Sequence, residues 1–218
     1  MFIGHFAVGL AAKRLAPDVS LGTLFVAAQL ADLVWPTLVL AGIESFSIRP
    51  GITAVTPLDF TRYPYSHSLV GMAAWGLGLG VVHFTIKRRA LAALVLFMVV
   101  LTHWLLDFVS HRPDLPLTLT GAERFGLGLW HSRIATLAVE GLFFAACLWI
   151  YVRATRPADA AGRWWLVALV AFLVVVYLAS IFGPPPPSVA AVAWSAQAIW
   201  LLVAWGYWID RHRTASRN

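Results

Sequence analysis

The residues best suited to chemistry lie in the stretch 101–116, which carries His103, Asp107 and His111 at successive spacings of four. On an α-helix, residues four apart lie on one face, so these three side chains are expected to form one stripe. Ionisable groups are costly in hydrocarbon, and on an apolar helix they indicate a functional site that faces the interior of a bundle. A pair of interhelical hydrogen bonds that packs the bundle is the alternative interpretation.

The axial spacing of this stripe limits how metal ions are shared along it. At 1.5 Å per residue, His103 and His111 are expected roughly 12 Å apart, too far for both to bind one ion. Either histidine can share an ion with Asp107, or Asp107 can bridge two ions. A single ion is not expected to be held by all three residues.

Other apolar segments carry acids or imidazoles at a similar depth. Asp32 and Glu140 lie inside apolar runs, His67 opens one, and His5 lies near the start of the first. With a rise of 1.5 Å per residue, Asp32, His103 and Glu140 all fall roughly 10–15 Å below the same face. Independent structural hydrogen bonds would have no reason to agree in depth. For His5 an interfacial position, and for His67 a place beside a helix cap, are the alternatives.

The residue types in this set favour a hard or borderline divalent cation. Imidazoles and carboxylates without thiolates suit zinc, manganese or iron better than calcium, and zinc is the first expectation. A metal ion of this kind lowers the pKa of a bound water and creates a nucleophile. A spare carboxylate, either Glu140 or Asp32, is then the expected catalytic general base. The single cysteine, Cys147, lies in an apolar run, so neither an internal disulfide nor a thiolate zinc site is expected.

A further group of charged side chains lies in the polar loops at the ends of these segments. These residues are expected at the mouth of the site, where they either bind an anionic substrate or form salt bridges within the loops. Both interpretations remain open for the members of this group, which are Asp59, Arg62, His111, Arg112 and Asp114.

The composition describes the elements that must position these side chains. The 218 residues are 60% hydrophobic and 12% charged, a balance too apolar for a soluble domain of this size and typical of a polytopic membrane protein. The formal net charge is +6, but the basic residues occur in short clusters between apolar runs. Such clusters are topology signals, so no nucleic-acid partner is expected. The expected partner is membrane lipid.

The pattern of apolar runs predicts one integral-membrane domain over residues 1–218. The fold class is all-α, a polytopic transmembrane helical bundle with about six spans and a short N-terminal half-helix, which covers 1–16. The segment 1–115 carries the metal-site motifs, and three further spans lie within 133–209. The predicted spans are 20–42, 66–86, 90–110, 133–152, 164–182 and 189–209.

The basic clusters predict one orientation for this bundle. Lys13, Arg14, the run 87–89 and the arginine-rich C-terminus all fall on one side if the spans alternate. The positive-inside rule makes that side cytoplasmic. The expected location is the bacterial inner membrane, with multiple passes, a cytoplasmic C-terminus and a site that faces the outer side.

The segments GHFAVGLAAKR, AQLADLVWP, YSHSL and HWLLD together resemble the bacterial membrane-bound, metal-dependent hydrolase-like family of inner-membrane proteins. The order His, Asp, His, His-x-x-x-Asp is also similar, more distantly, to the pattern of the all-helical zinc-dependent phospholipases C. The resemblance covers roughly residues 1–115. The metal ligands that it implies are His5, Asp32, His67, His103 and Asp107.

One position departs from the pattern of that family. Its members carry Asp-x-Asp after the first span, whereas here Asp32 is followed by Leu33 and Val34. A second carboxylate must then come from elsewhere, from Glu140 or Asp59, or the site binds one metal ion fewer.

Three functions remain open at this point. The first is an integral-membrane, metal-dependent hydrolase that acts on a lipid-linked phosphoester or ester at the outer leaflet. The second is a transporter or permease, although the cytoplasmic half of the spans lacks the polar residues that a continuous path needs. The third is a non-enzymatic membrane assembly protein with a buried hydrogen-bond network, which would tolerate Asp107→Asn far better than an enzyme would.

Overall fold

A computed structural model of the chain, which describes residues 1–216, is a helical membrane bundle. Five helical segments are long and apolar enough to cross a membrane, and a bent helix pair makes six if its two helices count as one span. The predicted all-α polytopic bundle is therefore confirmed. In chain order the helices are α1 (Phe2–Ala12), α2 (Leu21–Ala28), α3 (Leu30–Leu40), α4 (Pro64–His67), α5 (Leu69–Lys87), α6 (Ala90–Ser110), α7 (Arg133–Ala154), α8 (Ala160–Phe182), α9 (Val189–Ala196) and α10 (Ile199–Arg211).

The surface of the bundle is apolar along its long helices. Large side chains such as Leu77, Leu142, Trp164 and Leu201 are exposed on four different helices. Apolar surface of this extent would cause association in water, whereas hydrocarbon solvates it. Together with the lengths of the helices, this surface identifies a multi-pass membrane protein.

Within residues 1–216, the segments outside the helices contain three short antiparallel strand pairs. The longest is a hairpin in which Phe46 faces Phe60, in the segment between α3 and α4. The pairs are β1 (Ser45–Ile48) with β2 (Leu58–Arg62), β3 (Leu115–Pro116) with β4 (Arg124–Phe125), and β5 (Thr155–Pro157) with β6 (Arg213–Ala215).

The predicted span 20–42 is not one straight helix. Ser20 caps α2, because its side chain accepts a hydrogen bond from the backbone N–H of Thr23, as N-cap serines typically do. The helix then breaks at Gln29, and α2 and α3 are bent by 57° relative to each other. No glycine or proline occurs at the break, so the usual sequence signals do not indicate it. The bend places Asp32 in the first turn of α3.

Helix α1 is short and lies inside the bundle. Its eleven residues extend about 16 Å at 1.5 Å per residue, about half of a bilayer core, in agreement with the predicted half-helix. Phe6 and Leu10 are fully buried, and α1 packs against α2, α6 and α7. A buried half-helix of this kind can present His5 to the interior of the bundle.

Helices α2 and α10 approach each other through two glycines. A Cβ atom on Gly206 would lie 3.1 Å from Gly22 Cα, and a Cβ atom on Gly22 would overlap the ring of Tyr207. Small residues permit such close approach between membrane helices. This crossing holds α10 against α2, and α2 leads into α3, which carries Asp32.

Candidate metal centre

Two groups of ligand atoms in the described chain have spacings suited to a metal ion. His5, His103 and Asp107 form one group, while Asp32, His67 and His103 form the other. Within each group the ligand atoms lie within 4.8 Å of one another. Because His103 belongs to both groups, these five residues form a single assembly, called the ligand cluster below.

The ligand cluster draws on four separate helices. His5 comes from α1, Asp32 from α3 and His67 from the last position of α4, whereas His103 and Asp107 lie one turn apart on α6. All are buried except Asp32, whose side chain is 27% exposed. The structure thus brings together the five residues that the motif resemblance implied as ligands, although they span a hundred positions of sequence.

His103 is held so that one ring nitrogen faces the carboxylates. Its Nδ1 lies 2.8 Å from the carbonyl oxygen of Ala28, the last residue of α2. A carbonyl oxygen only accepts, so Nδ1 donates its proton, and in the neutral ring Nε2 then carries the lone pair.

The other nitrogen of His103 is an unsatisfied buried atom. Its Nε2 lies 3.3 Å from Asp107 Oδ2 and 3.8 Å from Asp32 Oδ2, and it makes no hydrogen bond within residues 1–216. Native proteins rarely bury such an atom without a reason, and one reason is a site for an ion. An unprotonated imidazole nitrogen between two carboxylates fits a divalent cation.

His5 lies directly against His103. Their rings stack with centroids 3.5 Å apart, and His5 Nε2 is 3.1 Å from Asp107 Oδ1. The α-amino group of Met1 donates to Asp107 Oδ1 at 2.7 Å and is 3.0 Å from His5 Nε2.

A cavity of about 250 Å³ opens beside the ligand cluster. Glu140, from α7, lines it with a carboxylate that is 1% exposed and whose Oε2 makes no hydrogen bond within the described residues. Aromatic rings form much of the remaining wall. They belong to Trp35, Phe60, Trp130 and Tyr177.

A second polar group, called the rim cluster below, lies next to this cavity and consists of Arg49, Asp59, His111, Arg112 and Asp114. Arg112 donates to both carboxylates, through Nη2 to Asp59 and through Nε to Asp114 at 2.9 Å. Arg49 donates to the other oxygen of Asp59 at 2.9 Å. Each charged group of the rim cluster thus has an oppositely charged partner.

His111 connects the rim cluster to the cavity. Its Nδ1 lies 3.0 Å from Asp114 Oδ1, and its ring lines the cavity with Nε2 3.9 Å from Asp107 Oδ1. Burial, with the nearby Asp114 carboxylate, holds the pKa of Tyr63 well above its usual value, so its hydroxyl stays protonated and donates to Asp114. His111 is therefore the member of the rim cluster that lines the cavity.

The expected mouth residues do not all reach this cavity. Arg62 ends β2 and is exposed, and the described lining of the cavity includes neither Arg62, Arg112 nor Asp59. The loop salt bridges that the sequence left open are present for Asp59, Arg112 and Asp114. Substrate binding by Arg62 or Arg112 stays a prediction.

Sequence reasoning missed two side chains behind the ligand cluster, Ser66, which contacts His67, and Glu44, which contacts Ser66. A helix cap was expected beside His67, and Ser68 is the residue that caps α5, whereas Ser66 bonds to His67. Glu44 lies in a polar segment without periodicity, and it bonds to Ser66. The adjacency of serine and histidine in Tyr-Ser-His-Ser was the one available signal.

Comparisons of the chain with protein-family models, with curated proteins and with solved structures found no match. The resemblance carried by the four motifs therefore stays an expectation.

Proposed function

We propose that the chain is an integral-membrane hydrolase that uses a divalent metal ion, with zinc favoured over manganese or iron, to cleave a phosphoester or ester carried on a lipid. The observation that carries this proposal is the convergence of the ligand cluster on His103 Nε2, a buried nitrogen without a hydrogen-bond partner within residues 1–216. Histidine nitrogens with carboxylate oxygens are the donors found at catalytic zinc sites.

The chemistry divides between the bound ion and the residues around it. A divalent ion in the ligand cluster would supply a nucleophile from water at neutral pH and polarise the bond to be cleaved. Asp32 lies 3.3 Å from His67 Nε2, so we assign it as a ligand. Glu140 is then the general base, because its carboxylate lines the same cavity and has an oxygen free to take a proton.

The walls of the cavity support a substrate with an apolar part. Trp35, Phe60 and Trp130 line it together with Val176 from α8, which is one of the membrane-length helices. Apolar walls exclude water from the reacting groups and strengthen electrostatic interactions within the site. A lipid-linked ester or phosphoester has both an apolar chain and a bond of the required type.

The distribution of charge along α6 supports a site that faces the outer side of a bacterial inner membrane. Arg89 precedes the first residue of α6, and the ligands His103 and Asp107 lie near the opposite end. With the basic end in the cytoplasm, as the positive-inside rule requires, the ligand cluster lies toward the outer leaflet.

The first test of this function is the metal content of the detergent-purified protein. We expect about one or two equivalents of zinc, manganese or iron per chain by elemental mass spectrometry, a range typical of mononuclear and dinuclear hydrolase sites. His103→Ala should lose them, because His103 belongs to both ligand groups. His131→Ala is the matched control, since His131 is exposed and its Nδ1 lies against the carbonyl oxygen of Gly128.

A wild-type protein that stays metal-free after incubation with these ions would contradict the metal-dependent hydrolase. The polar cluster would then be a proton path or a packing network, and transport assays in vesicles would follow. If the metal is present, hydrolysis of phospholipids and of lipid-linked phosphoesters in mixed micelles tests the substrate class.

A further inference from the structure

Three polar side chains form a row that ends at the ligand cluster: Glu44, Ser66 and the ligand His67, of which only His67 lines the cavity. Ser66 Oγ is 2.6 Å from Glu44 Oε2 and 2.7 Å from His67 Nδ1. Glu44 is 2% exposed, and Ser66 is fully buried. Burial of a carboxylate, a hydroxyl and an imidazole in one line is costly unless each group is hydrogen-bonded.

Glu44 is fixed in place by the backbone. Its Oε1 accepts the N–H groups of Tyr65 at 2.8 Å and of Ser66 at 2.9 Å. The hairpin of β1 and β2 makes this possible, because Glu44 immediately precedes β1 and β2 leads into α4. The carboxylate therefore has a defined position relative to the helical turn that carries His67.

The direction of each bond follows from the types of group. Three donors converge on the carboxylate of Glu44, so the Ser66 hydroxyl uses its proton there. Ser66 Oγ is then left to accept, and His67 Nδ1 must donate to it. In the neutral ring, His67 Nε2 then carries the lone pair, and this nitrogen lies 3.3 Å from Asp32 Oδ1 in the ligand cluster.

We propose that Glu44 is a positioning residue for the metal centre, which acts through Ser66 to fix the tautomer and ring orientation of His67. Histidine ligands generally donate their second N–H to a carboxylate or carbonyl group, and loss of that partner typically weakens metal binding about 10- to 100-fold. His103 uses the carbonyl oxygen of Ala28 in this way. For His67 the same task falls to a carboxylate that reaches the ring through a hydroxyl.

Glu44→Gln tests the relay with almost no change in shape. Glutamine can still accept the two backbone N–H groups, but its amide nitrogen faces Ser66 Oγ as a donor. The serine proton must then point toward His67 Nδ1, which leaves the imidazole proton on Nε2, the ligand atom. We expect zinc and cobalt affinity to fall about 10- to 100-fold, with a change in the visible absorption of bound cobalt.

A second measurement reads the tautomer of His67 without any metal. In metal-free protein with ¹⁵N-labelled histidine, the imidazole ¹⁵N shifts should place the proton of His67 on Nδ1 in the wild type. In Glu44→Gln they should place it on Nε2, and a His67→Ala sample identifies the resonances.

Ser66→Ala removes the hydroxyl between Glu44 and His67 while Glu44 keeps its backbone bonds, so this variant tests the relay if Glu44→Gln fails to fold. In Ser66→Ala we expect a mixture of tautomers and the same loss of affinity.

The matched control is Glu123→Gln, the same chemical change at an exposed loop position. It should match the wild type in cobalt affinity and in the His67 shifts.

The inference about Glu44 rests on the proposed function, and different results would contradict the relay and the hydrolase. Absence of metal binding by the wild type contradicts the hydrolase, whereas an unchanged His67 tautomer in both Glu44→Gln and Ser66→Ala overturns the relay.

Discussion

The ligand cluster and the rim cluster contain similar residues but differ in how those residues are satisfied. In the rim cluster, two arginines and a histidine meet Asp59 and Asp114, and each charged group has a partner. In the ligand cluster, Asp32 and Asp107 meet three imidazoles, and His103 Nε2 makes no hydrogen bond within residues 1–216. The two clusters touch at His111, whose Nε2 is 3.9 Å from Asp107.

This difference separates a structural network from a ligand site. A charge network that is closed on itself can hold loops together without any further group. In the ligand cluster, by contrast, His103 Nε2 lies buried between two carboxylates without a hydrogen-bond partner within residues 1–216, and a metal cation fits that position. Within a membrane bundle, a missing hydrogen-bond or ion-pair partner is therefore better evidence for a ligand site than the number of polar residues.

The largest expected effect is on catalysis, at the cavity shared with the ligand cluster. Glu140→Gln removes the general base and leaves the ligands unchanged, so hydrolysis of a chromogenic phosphodiester should fall about 100- to 10,000-fold. Bound metal, measured by elemental analysis of the same sample, should stay at the wild-type level. Glu123→Gln should retain full turnover, and a Glu140→Gln protein as active as the wild type would remove Glu140 from the mechanism.

The same substitution in the two clusters should affect metal binding very differently. Asp32→Asn removes a ligand charge and should weaken zinc binding by about 100-fold or more. This loss exceeds the effect usual for substitution of a residue that only hydrogen-bonds to a ligand. Asp59→Asn alters a carboxylate already used by Arg49 and Arg112, so zinc affinity should stay within about 3-fold of the wild type. Competition with a chelating dye measures both. Equal losses in the two variants would show that the clusters act as one unit.

The sequence predicts the ligand cluster better than its surroundings. Spacing on α6 relates His103 to Asp107, and the cost of burying ionisable groups marks Asp32, His67 and Glu140 as functional candidates. Those arguments depend on helical geometry and on the membrane, and both are readable from apolar periodicity. The bundle class is predictable for the same reason.

The contacts behind the ligands were not predictable in this way. The Ala28 carbonyl is available to His103 because α2 ends there, at a break without glycine or proline. Glu44 reaches Ser66 only because the hairpin of β1 and β2 folds back onto α4. Such contacts are set by tertiary geometry, and no local spacing encodes them. The salt bridges of the rim cluster likewise depend on the folded arrangement of Asp59, Arg112 and Asp114.

Metal binding should stabilise the fold only where the ligand cluster is intact. At a free zinc concentration of 100 times the dissociation constant, binding to the native state contributes about 2.7 kcal/mol. The wild type and Asp59→Asn should therefore unfold at a higher temperature with zinc than with chelator, whereas Asp32→Asn should not. Tryptophan fluorescence during a thermal ramp in detergent measures these differences. A stabilisation of Asp32→Asn equal to that of the wild type would place the bound zinc elsewhere.

The smallest expected effects lie within the rim cluster, and they depend on burial. Arg112 is 29% exposed and donates to two buried carboxylates, so Arg112→Ala should lower the free energy of unfolding by about 1–3 kcal/mol. Arg49 is 65% exposed and donates to one of them, so Arg49→Ala should cost less than about 1 kcal/mol. Urea denaturation in detergent ranks the two variants, and salt should reduce the effect of Arg49 more because exposed pairs are screened. Metal content should not change in either variant. If Arg112→Ala lost its metal, the rim cluster would be part of the ligand site and not a separate structural network.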